Sequence, residues 1–270
     1  MSNLIKILLL LVCFHTSSFA QNNTPYELDF KREMLLLGIG GIGSLTAIHL
    51  HKTKIGPLTV EEINGLNAND VNAFDRSATE NWSTHAAKQS DYFLYTSAAL
   101  PFTTLAATKI RKDVFIIGTM FTETVFINLA LTDYAKFIAR RYRPLVYHPN
   151  VPLDTKQSTG AQLAFFSGHA AGSASLCFFT AKILNDYYPN SKLKPLIWGT
   201  AATIPAITSY LRYKAGKHFP TDVIAGYLVG ASVGYLIPTL HKKKKDKTNK
   251  TTLQVSPSWK YSGVNVVMGF

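Results

Sequence analysis

Charge of one sign is scarce in this chain of 270 residues: 16 acidic side chains stand against 28 basic ones, and charged residues of both signs make up only 16%. Cysteine is scarcer still. Of the two, Cys13 and Cys177, the first lies in the leader described below, so a disulfide within the remaining chain is excluded. Neither has a second thiol or metal-ligand spacing nearby. Cys177, in an apolar helical run, reads as a small buried hydrophobe. No zinc-finger spacing and no aromatic RNA-binding motif accompanies the basic balance, which argues against nucleic acid as a partner. No Gly, Pro or Ser run divides the apolar segments, so one domain is expected.

The net charge of +12 is concentrated rather than spread, with six lysines between Lys242 and Lys250, directly after an apolar segment. That placement reads as a flank facing the cytoplasm or lipid headgroups. At the other end, Lys6, the apolar run Ile5 to Phe14 and the small-residue ending Ser17-Ser18-Phe19-Ala20 have the layout of a signal peptide cleaved after Ala20. An uncleaved anchor is the other reading, though the run is about half the ~20 residues a span needs. The expected organisation is a leader over 1–20, a helical domain over 21–240, and a basic flank and tail over 241–270. Leu253 to Val255 and Val264 to Phe270 are β-prone pieces of that tail.

Six apolar stretches of helical length follow the leader, at about 34–50, 91–110, 114–135, 162–184, 194–211 and 222–240, rich in Gly, Ala, Ser and Thr. The expected fold is an all-α, up-and-down bundle. The connection 51–90 is long and polar, with a surface helix expected over Ala78 to Ser90; its Asp75, Arg76 and His85 project toward the motif end and read as solvated loop residues, substrate contact being the other reading. In an up-and-down bundle the end of the third stretch, the start of the fourth, the end of the fifth and the start of the sixth meet at one end. Those are the places that hold the chemically loaded residues.

Lys136-x6-Arg143-Pro144 comes first; the spacing of seven predicts Lys136, Arg140 and Arg143 on one helix face, ended by Pro144. Ser167 and Gly168 open the fourth stretch, where N–H groups of a helix start can cradle an oxyanion and the missing side chain of Gly168 permits close approach. Arg212-x5-His218-x3-Asp222 follows, with Pro220 as a good first helical residue and Asp222 in the first turn, expected to accept a hydrogen bond from His218. A carboxylate on one ring nitrogen would leave the other free as a nucleophile. A basic pair at a helix end or a histidine capping its own helix is unremarkable singly; together they describe phosphoryl transfer through a histidine.

The three segments resemble the tripartite signature of the type 2 phosphatidic acid phosphatase family, which shares its fold with vanadium haloperoxidases and bacterial nonspecific acid phosphatases. The resemblance covers residues 91 to 240, with two departures: Phe166 stands where Pro normally precedes Ser-Gly-His, and Leu211 where Ser normally precedes Arg. It implies His218 as nucleophile, Asp222 orienting it, and His169 protonating the leaving oxygen and then activating water. Lys136, Arg143, Ser167, Gly168 and Arg212 would bind the phosphate, with no cofactor and no metal. The expected partner is a lipid phosphate or another phosphomonoester at a membrane; oligomeric state is open. The rival readings are a soluble periplasmic acid phosphatase, a vanadate-dependent haloperoxidase and a catalytically silent scaffold.

Basic residues Arg111, Lys112, Lys192, Lys194 and Lys242 to Lys245 fall at the end opposite the motifs, which the positive-inside rule makes cytoplasmic. The Gly-rich stretch 34–50 is then expected to be peripheral or re-entrant, leaving five spans and a motif end facing the periplasm. Glu123 in the third stretch and a mean hydropathy of +0.07 keep the soluble reading open.

Overall fold

Glycines spaced by four set the central contact of the molecule. In the computed structural model, which describes residues 24–243, six long helices carry the fold: α1 (Phe30–Lys54), α2 (Thr84–Thr103), α3 (Val114–Ala139), α4 (Gly168–Tyr187), α5 (Lys194–Lys214) and α6 (Pro220–Leu240). Gly226, Gly230 and Gly234 form one stripe of α6. A Cβ at each would stand 2.5, 2.1 and 2.1 Å from the carbonyl oxygens of Ser167, Ala171 and Ser175, the matching stripe of α4. The two backbones therefore touch, as small residues permit. The register so fixed sets Ser167 beside Asp222, whose carbonyl accepts from the Ser167 N–H at 3.0 Å.

The bundle is all-α as expected; among the described residues the β content is the isolated bridge between Tyr26 and Lys242. The leader, and the tail beyond Lys243 with its β-prone pieces, lie outside the described residues. The surface helix expected over 78–90 is instead a 3-10 turn at Ser77–Glu80, a break, and the start of α2 at Thr84, capped by Ser83. Tertiary packing joins the two stretches that polarity had separated, so His85 sits exposed in the first turn of a 20-residue helix.

The helix α1 departs most from expectation. It is a single helix of 25 residues, about 37 Å long at 1.5 Å per residue, against ~30 Å for a bilayer core. Among the described residues, three stretches are long and apolar enough to cross a membrane: Phe30–Lys54, Val114–Val146 and Pro220–Leu240. The stretch expected not to span is thus one of them. Its glycines serve packing instead: a Cβ on Gly40 would meet Phe126 Cβ at 2.9 Å, and one on Gly43 would meet Ala130 Cβ at 3.2 Å, both on α3. The outer face of α1, with Met34, Ile39 and Ile42 more than half exposed, is apolar.

Two halves differ in what they bury. Toward the ends of α4 and α6 the core is apolar, built from Ile116, Met120, Phe179, Ile183 and Ile237. Toward their starts it turns polar: Ser97 and Ser173 hydroxyls lie 2.7 Å apart and Thr208 donates to Ser173 at 3.3 Å. Above that polar half the long connections 55–83 and 140–167 fold onto each other around Leu58, Ile63, Leu145, Val146, Val151 and Ala161.

Candidate active site

The end of α3, the start of α4, the end of α5 and the start of α6 meet under these connections. Their convergence is visible in one group: the His218 imidazole is fully buried, and burial first, then the positive charges of Arg143, Arg212 and Lys136, hold its pKa well below the ordinary imidazole value. Three cations thus surround one neutral ring. The Lys136 ammonium stands over the start of α4, where a Cβ on Gly168 would come within 3.2 Å of its Nζ. Arg212 is held by Ser90 Oγ at 3.3 Å and lies 3.8 Å from Asp91. The Nε groups of both Arg143 and Arg212 are buried with no hydrogen-bond acceptor among the described residues. Unmet guanidinium donors on two electrostatically coupled side chains are what a bound oxyanion would satisfy.

Local chemistry explains each placement. The helix α3 ends at Ala139 because Arg140 adopts a left-handed conformation, φ 42°. The chain then runs extended through Arg143 into Pro144. Lys136 and Arg143 therefore do not share a helix face as the spacing predicted; Arg143 reaches the site from a loop, pinned by its N–H to the Ala161 carbonyl at 2.7 Å. Arg140 points away, stacking on Phe137 and donating to the Lys54 carbonyl. Ser167 is the N-cap of α4, its hydroxyl accepting from Ala170 and its carbonyl from Ala171. With the Ser167 N–H taken by Asp222, the Gly168 and His169 amides remain as the first-turn donors not taken by protein acceptors. Ser167 therefore builds the helix start with its backbone N–H and carbonyl, while its hydroxyl, which accepts from Ala170, keeps a proton to donate.

His218 follows Gly216, whose φ of +66° and approach to the Asn81 carbonyl, 2.0 Å from a Cβ, admit only glycine. The ring is not oriented by Asp222, as the sequence had suggested. The nearest Asp222 oxygen is 3.8 Å away, and His218 Nδ1 instead donates to the Ala164 carbonyl at 2.8 Å. That bond fixes the tautomer and leaves Nε2 with a lone pair. Asp222 is spent elsewhere: it accepts from the Phe219 N–H at 2.8 Å and from Arg141 at 2.6 Å.

Arg141 belongs to a network that sequence reading missed. It bridges Asp222 and Asp75, 2.7 Å away, and donates to Thr221 at 2.7 Å, with its guanidinium 4.1 Å over the Phe219 ring. Asp75 is no solvated loop residue but fully buried, accepting also from the Thr221 N–H at 3.0 Å and from Asn72. Burial pulls its pKa up, yet the hydrogen bonds from Arg141, Asn72 and Thr221 together outweigh this and hold it low. Arg76 supports the loop through the Val71 and Asn69 carbonyls. Asp91, also missed, bonds His169 Nε2 at 2.7 Å while lying near Arg212. Lys217 adds a fourth cation beside the cage; burial, then Arg143 and Arg212, lower it to about 8.

This arrangement of cations, helix start and paired histidines coincides with a match to the sequence model of the PAP2 superfamily over residues 113–246. That segment resembles the PAP2 superfamily. Lys136, Arg143, Ser167, Gly168, His169, Arg212, His218 and Asp222 all lie within it. The chain is 26% identical over 161 residues to a lipid A 4'-phosphatase of Porphyromonas gingivalis, a match that takes in 58% of this chain and 64% of that protein. Its fold aligns with the crystal structure of a transmembrane PAP2 type phosphatidylglycerolphosphate phosphatase from Bacillus subtilis at a TM-score of 0.45 and 19% identity, covering 78% of this chain and 96% of that one. The two PAP2 departures are both accommodated: Phe166 is buried edge-on to Phe165, and Leu211 is half-buried beside Arg212.

Proposed function

We propose that this chain is a lipid-phosphate phosphatase that works through a phosphohistidine on His218. The observation that carries the reading is the pair of buried guanidinium groups with unmet Nε donors beside a neutral histidine whose Nδ1 is fixed. A phosphate monoester placed among Arg143, Arg212 and Lys136 has its oxygens neutralised before attack, and preorganised donors of this kind supply most of the stabilisation in phosphoryl transfer. The Nε2 lone pair of His218 forms the P–N bond while the P–O bond to the alcohol breaks, and His169 gives the leaving oxygen its proton. Water then attacks the phosphohistidine, losing a proton to His169, and inorganic phosphate leaves with His218 neutral again. Asp91 holds the His169 ring; Asp222 acts by positioning, tying the Phe219 turn to Arg141.

A lipid substrate is supported by three apolar stretches among the described residues long enough to cross a bilayer and by the similarity to a lipid A 4'-phosphatase. A soluble acid phosphatase would not expose the apolar outer face of α1. The catalytic end is assigned to the periplasm because Arg111, Lys112, Lys192, Lys194 and Lys242 lie at the other end. The Tyr26–Lys242 pairing puts residues 24–29 at that same end. With α1 as a full span, this orientation and a leader cleaved in the periplasm after Ala20 exclude one another, and the charge distribution supports the former. Cysteine-labelling of positions 27 and 243 in intact cells is expected to find both shielded and position 154 reactive.

Purified protein assayed for released phosphate against phosphatidate, a polyprenyl diphosphate, a lipid A phosphate and phosphatidylglycerol phosphate tests the activity. Turnover of at least one lipid well above that of a soluble phosphomonoester is expected. Equal or better turnover of the soluble ester would favour an acid phosphatase, and no turnover of any would favour a silent scaffold.

A further inference from the structure

At the end of the bundle away from the phosphate cage, three side chains far apart in sequence meet: Glu33 of α1, Glu123 of α3 and His241 at the C-cap of α6. Their potential ligand atoms all lie within 4.8 Å of one another. Glu123 and His241 are fully buried, and Glu33 is 9% exposed. His241 Nε2 stands 2.9 Å from a Glu33 oxygen and 3.1 Å from a Glu123 oxygen, ion-pair contacts without the alignment of a full hydrogen bond, and both Glu123 oxygens and Glu33 Oε2 have no other donor among the described residues.

We infer that Glu33, Glu123 and His241 form a binding site for a divalent transition-metal ion of the zinc or manganese type. Two ligands about 2.1 Å from one ion stand about 3.0 Å apart in an octahedral arrangement and about 3.4 Å apart in a tetrahedral one, within reach of the 2.9 and 3.1 Å between His241 Nε2 and the two carboxylates. His241 Nδ1 bonds the Ile237 carbonyl at 2.8 Å, the outer contact that presents Nε2 as a lone pair to a metal. One imidazole with two carboxylates suits zinc or manganese better than the all-oxygen sets of magnesium and calcium. The carboxyl end of α6 adds a favourable dipole for a cation. Arg32 fixes the edge of the site, donating to Glu33 Oε1 at 2.9 Å and to the Leu240 and Glu27 carbonyls. The ion bolts α1 to α3 and α6, where the Glu27 N–H also bonds the His241 carbonyl at 2.9 Å.

The test uses the full chain in detergent, free of affinity tag and stripped with chelator, titrated with Zn2+ or Mn2+ alone, with Mg2+ and Ca2+ as controls. One equivalent of zinc or manganese should bind and raise the melting temperature. Glu123→Gln and His241→Gln should each weaken binding by at least about 100-fold, beyond the 10- to 100-fold typical of losing an outer partner. His218→Ala should bind as the wild type does, which sets this site apart from the histidines of the phosphate cage. If the buried variants do not fold, Glu33→Gln at the partly open edge gives the same comparison. Absence of a bound equivalent in the wild type, undiminished binding in the folded variants, or binding of magnesium or calcium alone would overturn the assignment and leave a buried ion-pair cluster. None of these readouts uses phosphate release, so the phosphatase reading stands or falls separately.

Discussion

The two ends of this bundle bury opposite kinds of unmet polar group. At one end, guanidinium donors of Arg143 and Arg212 lack acceptors; at the other, carboxylate oxygens of Glu33 and Glu123 lack donors. A folded chain rarely leaves such groups unpaired, since each costs on the order of 1–3 kcal/mol. The difference teaches where each kind of partner belongs: an anion that comes and goes beneath the long connections, and a cation held between long helices. Residues at the first end should govern turnover with little effect on stability. Those at the second should govern stability with little effect on turnover.

The largest effect expected at the catalytic end is from His218→Ala, which should reduce phosphate release to background while the melting temperature stays near wild type; residual turnover would remove His218 as nucleophile. Next, Arg212→Gln should cost about 10² to 10³ in kcat, the usual loss for one preorganised donor, measured as initial rates with saturating lipid. Gly230→Ala crosses the comparison, because its Cβ would stand 2.1 Å from the Ala171 carbonyl. Overpacking of this kind costs about 1–3 kcal/mol. It should lower the melting temperature and turnover together, since the α4–α6 register holds Ser167 beside Asp222. The smallest change is one of pH. Burial and the three cations disfavour the His218 imidazolium, so its pKa lies below the ordinary value. The neutral nucleophile then persists as pH falls through ~6.5, and the acid limb of kcat/KM is expected below that pH.

Much of this was legible in the sequence because helices announce themselves by apolar length, and an up-and-down bundle converts chain order into a choice of end. Lys136, Arg143, Ser167, Gly168, His169, Arg212 and His218 were assigned to one end of the bundle that way, and the structure has them at that end. What escaped notice lacks a local pattern. Ala164 orients His218 through a backbone carbonyl, which no side chain encodes. Asp91 reaches His169 across 78 residues of chain, and Asp75 reaches Arg141 across 66. Arg141 itself was overlooked because a helix face was extended through Arg140, where the left-handed turn redirects the chain. Glu123 was read as a sign of solubility; its partners, Glu33 and His241, lie 90 and 118 residues away.

A covalent bond between phosphorus and His218 Nε2 is the step from which the other roles follow. Rapid quenching of the enzyme during turnover of a radiolabelled lipid phosphate, followed by peptide mapping, tests it directly. Acid-labile, base-stable label on the peptide containing His218, absent from His218→Ala, is the predicted result. Steady turnover with no trapped phosphoenzyme, or label on another residue, would contradict it.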